Sequence, residues 1–174
     1  MGVKNNVMAE KKTAVQAKIR EVRAELDRLQ HSVTSTHELM GAIVVLLNER
    51  MLKYNWVGFY LVERGAAPPG MLVLGPFVGT MTPHTRIPLN QGICGAAASS
   101  GKTVVVDDVK KDSRYLACSL ETKSEIVVPV FAHGDVVGEL DIDSHFLAAF
   151  TPEDQELVEH CAKAVGKHLE THPA

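Results

Sequence analysis

Two apolar segments in the second half of the chain most constrain its fold. The first opens at Glu125 with the β-branched run 126–128, and the second ends in Asp141, Ile142 and Asp143. The polar turn 133–135 separates them, and two such runs joined by a Gly-containing turn are typical of a β-hairpin. The sequence therefore predicts two neighbouring antiparallel strands.

The second of these strands places two carboxylates on one face. Alternate residues of a strand point the same way, so Asp141 and Asp143 share a face about 7 Å apart, while Leu140 and Ile142 point to the other face. Aspartate is depleted in strands, and like charges on one face repel. The pair is either a solvated strand face or the wall of a cleft that receives a cation, and Glu125 favours the cleft.

Composition restricts the class of protein. The 174 residues are 45% hydrophobic and 22% charged, which is typical of one ordinary soluble globular domain. A net charge of −3 argues against nucleic-acid binding, and we find no apolar run long enough for a signal peptide or a membrane span. Three cysteines without a repeated CxxC spacing favour a reducing cytoplasm.

Helical patterns flank the strands. Apolar residues at a 4-3-4-3 spacing predict a helix from about residue 10 to 30, and the seam consists of Val15, Ile19, Val22, Leu26 and Leu29. This seam could pack on its own domain, on a second copy, or on both. A second helix is predicted over 36–53 and a last one from Thr151.

We expect an α+β protein with a central antiparallel sheet, terminal helices on one face, and loops over a ligand pocket on the other. An N-terminal helix would occupy 1–35 and the main domain 36–174.

The three cysteines differ in their surroundings. Cys161 lies on the apolar stripe of the last helix, which favours packing. Cys94 begins a helix of small residues, where a helix N-terminus could favour the thiolate, but packing is equally open. Cys118 lies in a polar loop with Arg114 and Lys123 nearby in sequence, so it is either a reactive, partly ionised thiol or an incidental one.

Two further groups have open interpretations. Trp56 and Tyr60 share a strand face and could form the wall of a pocket or simply part of the core. A metal site of Cys94, Cys118 and His84 is conceivable, but no histidine or cysteine pair has zinc spacing, and we expect no metal.

Seven short blocks in order along residues 54–150 resemble the GAF domain of free methionine-(R)-sulfoxide reductases. The blocks are NWVGFY (55–60), LVLGPFVG (72–79), TRIP (85–88), GICG (92–95), ACS (117–119), SEIVVPV (124–130) and GELDIDS (138–144). The resemblance implies a central antiparallel sheet sandwiched by helices, in a homodimer formed through the terminal helices. The domain 36–174 would then be the GAF domain.

The resemblance also implies roles for the matched residues. Cys118 matches the catalytic thiol, Glu125, Asp141 and Asp143 match carboxylates that hold the amino acid and help protonate the sulfoxide oxygen, and Trp56 and Tyr60 match an aromatic wall. Thiolate attack on the sulfoxide sulfur would give methionine and a cysteine sulfenic acid, which a second thiol converts to a disulfide that thioredoxin or a similar reductant clears. No cofactor beyond this external reductant is implied.

One position departs from the family pattern. Directly before TRIP, where the family usually has a resolving cysteine, this chain has His84. Cys94 could then resolve Cys118, an external thiol could do so, or the chain could be a non-catalytic GAF module that binds a small amino-acid-like ligand. Our expectation is reduction of free L-methionine-(R)-sulfoxide, with Cys118, Cys94, Glu125 and Asp143 as the catalytic group. Sensing of a cyclic nucleotide or tetrapyrrole is a more distant alternative.

Overall fold

A computed structural model describes residues 2–63, 65–117 and 119–172, with side chains from residue 13 onward. The helices are α1 (Gly2–Leu29), α2 (Thr36–Arg50), α3 (Gly92–Ser100) and α4 (Pro152–Thr171). The strands are β1 (Trp56–Val62), β2 (Met71–Val78), β3 (Arg86–Pro88), β4 (Val104–Val106), β5 (Ser124–Ala132) and β6 (Asp135–Ser144). Within these ranges, no helix has the length and apolar character needed to cross a bilayer.

The described strands form one antiparallel sheet in the order β3-β2-β1-β6-β5-β4. Its two faces bury separate apolar clusters. The larger cluster joins one face to α1, α2 and α4, and includes Leu140 and Ile142. The smaller cluster, on the other face, joins Trp56, Tyr60 and Val127 to α3. The predicted α+β fold, with terminal helices on one face, is therefore confirmed.

The β5–β6 hairpin that the sequence predicts is present. Its strands pair from Ser124 with Ser144 to Ala132 with Asp135. The two residues of the turn, His133 and Gly134, have φ angles of 53° and 88°. Two consecutive left-handed residues match the twist of antiparallel strands, which explains why so short a connection closes this hairpin.

Helix α4 begins with a capping box and is joined to the start of β1 by polar contacts. Thr151 is the N-cap, and its side chain and that of Asp154 cap one another's backbone N–H groups. The buried Asp154 also accepts hydrogen bonds from the Tyr54 hydroxyl at 2.9 Å and the Lys53 ammonium at 2.6 Å. These bonds fix the register of α4 against the strand that carries Trp56.

Three details differ from the sequence predictions. Helix α1 begins at Gly2 rather than near residue 10, α2 ends at Arg50 rather than 53, and the strand β3 was not predicted. β3 has only three residues and depends on pairing with β2, so its sequence alone carries no strand pattern. The seam residues Ile19, Val22 and Leu26 are buried against this chain's own helices. The domain division at residue 35 stays a prediction.

Candidate active site

Strand register brings the predicted site residues of β1, β5 and β6 to one face of the sheet, opposite α1, α2 and α4. On β1 and β6, Trp56 pairs with Asp143, and Gly58 pairs with Asp141. On β5 and β6, Glu125 pairs with Asp143. Because paired residues of adjacent strands point to the same face, these side chains lie together at the centre of the sheet.

The structure adds a fourth carboxyl group, that of Glu139, which was not among the predicted site residues. Glu139 pairs with Tyr60 on β1 and lies two residues before Asp141, on the same face. The alternation that linked Asp141 to Asp143 was the signal that could have found it. All four carboxyl residues, including Glu125 and Asp143, are at most 5% exposed, so this is not a solvated strand face.

Burial and crowding shift the pKa values of these acids upward. Burial raises the pKa of Glu139 to about 8 and that of Asp143 to about 7. The pKa values of Glu125 and Asp141 are also raised well above their ordinary range, first by burial and then by the neighbouring carboxylates. The site therefore resists carrying several negative charges at once unless a proton or a cation accompanies them.

Cys94 faces the same carboxyl group cluster from α3. Its thiol donates a hydrogen bond to Asp141 Oδ2 with a sulfur–oxygen distance of 3.6 Å. Burial raises the pKa of this thiol well above its usual value, and the charges of Asp141, Glu139 and Glu125 raise it further. These effects oppose the influence of the helix N-terminus that the sequence suggested, so the thiol is held protonated.

The two aromatic residues hold a neighbouring segment in place through their polar ends. The Trp56 indole Nε1 donates to the Thr80 carbonyl at 3.1 Å, and the Tyr60 hydroxyl donates to the His84 carbonyl at 2.8 Å. The indole also covers Gly58, where an added Cβ would lie 2.3 Å from the ring. Both aromatic residues are buried in the smaller core cluster, so both contribute to its packing.

A small cavity of about 50 Å³ opens beside the carboxyl group of Asp143. Asp143 and Trp56 line it from the sheet, Thr80 from the segment that contains His84, and Ser119 and Thr122 from the segment before β5. The cavity therefore joins Asp143 to the segments that contain His84 and position 118, both of which the sequence suggests for thiol chemistry.

Comparison with known proteins identifies the family. Residues 27–169 match the GAF domain family. The chain is 33% identical over 151 residues to the free methionine-R-sulfoxide reductase of Escherichia coli K12, which spans 87% of this chain and 88% of that protein. The chain belongs to the family of GAF-domain free methionine-R-sulfoxide reductases. It is thereby a member of an oxidoreductase family.

Solved structures of other family members have the same fold. The free methionine-R-sulfoxide reductase of Neisseria meningitidis, in complex with its substrate, is 38% identical, covers 90% of this chain and 91% of its own, and superimposes with a TM-score of 0.83. The type II enzyme of Thermoplasma acidophilum is 38% identical, covers 83% of this chain and 96% of its own, and has a TM-score of 0.72.

Two of the three cysteines of this reductase family member can be described. Cys161 is fully buried in the larger core, on the opposite side of the sheet from the carboxyl groups, which confirms its packing role. Cys94 lies in the site as given above. Cys118 lies outside the described residues, so its predicted role and any metal site that includes it stay untested. His84 is half-buried at the edge of the site.

Residues on either side of position 118 contact each other and the start of α3. The Tyr115 hydroxyl donates to the Ser119 carbonyl at 3.2 Å, which joins the two sides. Leu116 covers the start of α3, where a Cβ added to Gly92 would lie 2.9 Å from its side chain. Gly92 has a φ of 75°, and the absence of a side chain there permits this close approach.

Proposed function

We propose that this protein reduces free L-methionine-(R)-sulfoxide to methionine with Cys118 as the nucleophile. Family membership supports the reaction. The observation that supports the assignment to this site is the cavity that Asp143, paired with Glu125, lines together with Ser119, the residue next to position 118. A buried acid beside a thiol-bearing segment is the arrangement that sulfoxide reduction requires.

In the first step, the Cys118 thiolate attacks the sulfoxide sulfur and a carboxylic acid protonates the sulfoxide oxygen. One thiolate, one sulfoxide and one proton become a cysteine sulfenic acid and methionine, so the cysteine sulfur loses two electrons and the substrate sulfur gains them. Asp143 is our choice for the acid because it lines the cavity, and its pKa of about 7 leaves much of it protonated near neutral pH. Glu125 and Asp141 would bind the substrate ammonium. Trp56 would contact the substrate methyl and sulfur, and Tyr60 would complete this aromatic wall of the pocket.

In the second step, a thiol attacks the sulfenic acid, forming a disulfide and releasing water. We propose that this thiol comes from an external thioredoxin-like reductant, whose second thiol then releases Cys118 as a thiol. The geometry disfavours Cys94, because its thiol is buried, donates to Asp141 and resists ionisation. Cys94 remains the alternative resolving cysteine, since His84 stands where the family usually has one.

A single turnover without reductant distinguishes the two resolving thiols. If the resolving thiol is external, one equivalent of methionine sulfoxide leaves a sulfenic acid that dimedone labels at Cys118, while Cys94 remains a free thiol. Peptide mapping under non-reducing conditions that found a Cys94–Cys118 disulfide would overturn the external route.

The activity itself is tested with the purified protein, thioredoxin and its reductase, and separate epimers of free methionine sulfoxide. We expect consumption of the R epimer, complete loss in Cys118→Ser, and retention in Cys161→Ser, which changes a cysteine on the opposite face. Consumption of neither epimer, together with measurable binding of the amino acid, would establish the alternative of a non-catalytic GAF module. This alternative is considered because the chain has His84 where the family usually has a resolving cysteine.

Three accompanying expectations belong to the same proposal. The reductant is thioredoxin-like, the protein works in a reducing cytoplasm, and it forms a homodimer. A reducing compartment favours recycling of a disulfide by dithiols. Sedimentation velocity measures the assembly directly.

A further inference from the structure

The carboxyl cluster contains polar atoms that lack partners among the described residues. Both oxygens of Glu139 and Oδ1 of Asp141 are buried without a hydrogen-bond partner in the part of the chain that the structure describes. Glu139 is fully buried and Asp141 is 3% exposed. Buried oxygens are normally satisfied by protein, water or an ion, so these three atoms point to a ligand that supplies hydrogen-bond donors or positive charge.

The charged side chain that reaches the cluster is already engaged elsewhere. Arg114 interacts with the charge of Glu125, but its guanidinium binds Asp112 through two contacts, at 2.9 and 2.6 Å. Among the described residues, no ion pair joins Glu125, Glu139 or Asp141 to a basic side chain.

Three donor atoms of the cluster lie close together, and one pair of them has the separation that zinc requires. One donor atom each from Cys94, Glu125 and Asp141 lie within 4.8 Å of one another. In a tetrahedral site with bonds of about 2.3 Å to sulfur and about 2.1 Å to oxygen, the sulfur–oxygen separation is about 3.6 Å. The Cys94 Sγ to Asp141 Oδ2 distance is 3.6 Å. Glu139 is not one of these three, but it lies two residues before Asp141 on the same face of β6 and is the candidate for a fourth donor.

We propose that Cys94, Glu125, Glu139 and Asp141 bind a zinc ion in the substrate-free protein, and that this ion competes with the substrate. A mixed thiolate and carboxylate set suits Zn²⁺, whereas Mg²⁺ and Ca²⁺ prefer oxygen donors in larger number. A dication also neutralises more of the cluster than the single ammonium of an amino acid. The competition rests on the proposed function, because it takes Glu125 and Asp141 as binding groups for the substrate ammonium. Zinc would therefore act here as a reversible inhibitor.

The binding test uses Cys118→Ser protein, purified with a chelator and a phosphine reductant, so that turnover and the third thiol play no part. Calorimetric titration with Zn²⁺ alone should show one ion per chain. Titration with Co²⁺ should show a near-ultraviolet thiolate-to-cobalt charge-transfer band, because Cys94 is a ligand. Absence of zinc binding, or binding without this band, overturns the proposal.

Variants at the ligands and a matched cysteine assign the site. In the same background, Cys94→Ser should abolish the cobalt band and weaken zinc binding at least about tenfold, and Glu139→Gln should also weaken it about tenfold or more. Cys161→Ser, which removes a buried thiol from the other core, should change neither. Circular dichroism verifies that each variant is folded. A band that persists in Cys94→Ser overturns the assignment.

Competition is measured by adding free methionine-(R)-sulfoxide to the zinc titration of Cys118→Ser protein. The apparent zinc affinity should fall as the sulfoxide concentration rises, and unchanged affinity at saturating sulfoxide overturns the inhibitory role. Because zinc binding is measured without turnover, its failure leaves the reductase proposal standing. Conversely, failure of the wild-type protein to reduce the sulfoxide leaves the zinc site standing.

Discussion

At the scale of single residues, the site depends on a glycine that provides space rather than chemistry. Gly58 pairs with Asp141, and the indole of Trp56 lies over it, 2.3 Å from where a Cβ would stand. The same indole stacks on Phe77 and holds the Thr80 carbonyl. A side chain at position 58 would therefore displace the wall of the pocket.

We predict that Gly58→Ala moves the indole and weakens substrate binding. Inserting a methyl group into packed space costs about 1–3 kcal/mol, so the free energy of unfolding should fall by that amount and the KM for free methionine-(R)-sulfoxide should rise. Trp56 is the single tryptophan of the chain, so its fluorescence reports the displacement directly. A Gly58→Ala protein with unchanged emission and KM would contradict this account.

At the scale of elements, helix α4 packs closely on β5 at a glycine. A Cβ on Gly166 would lie 2.0 Å from the Phe131 carbonyl oxygen, which is backbone and cannot rotate away. Gly41 in α2 provides the contrast, because no atom lies within 4 Å of its added Cβ among the neighbours that the structure describes. The close contact with β5 therefore requires glycine at position 166, whereas the surroundings of position 41 would accept a side chain.

We predict opposite effects of alanine at these two positions. Gly166→Ala should push α4 away from β5 and lower the free energy of unfolding by about 1–3 kcal/mol or more. Gly41→Ala should raise it by about 0.5–1 kcal/mol, because alanine loses less backbone entropy in a helix. Urea unfolding of both variants measures the difference. Equal effects would mean that helix propensity, and not the contact with Phe131, decides the outcome.

At the scale of the whole molecule, helices α2 and α4 meet through a buried histidine. His168 on α4 lies 2.9 Å through Nδ1 from the Thr36 hydroxyl at the start of α2, and its ring stacks on His172 at 4.2 Å. Burial lowers the pKa of His168, and the charge of His172 lowers it further. Protonation would place a charge where α2 and α4 pack.

We predict that this histidine makes stability depend on pH. The unfolded chain takes up a proton near the ordinary pKa of 6.5, and the folded chain resists it. The stabilisation is therefore complete above about pH 6.5 and is lost as the pH falls below it. His168→Asn should flatten the fall in unfolding free energy in that range, measured by urea unfolding. His160→Asn, which changes a histidine beside Asp27, should leave this part of the dependence in place.

Much of the fold and part of the site could be predicted from local patterns. Alternation in β6 indicated that Asp141 and Asp143 share a face, and the hairpin followed from two apolar runs and the turn at Gly134. The same alternation includes Glu139, but without the strand's neighbours nothing marked it as buried. The order of the matching blocks alone indicated the GAF domain.

By itself, the sequence determined which side chains share a face, because strand and helix periods are local properties of the backbone. It also indicated the family, through seven short blocks that occur in the family's order along the chain. Only the tertiary structure decided the chemistry of those faces. At Cys94 the sequence left both a thiolate and a packing role open, and the packing of α3 places the thiol against Asp141. Ionisation depends on desolvation and on charges from distant segments, and those are assembled only when the strands and helices come together.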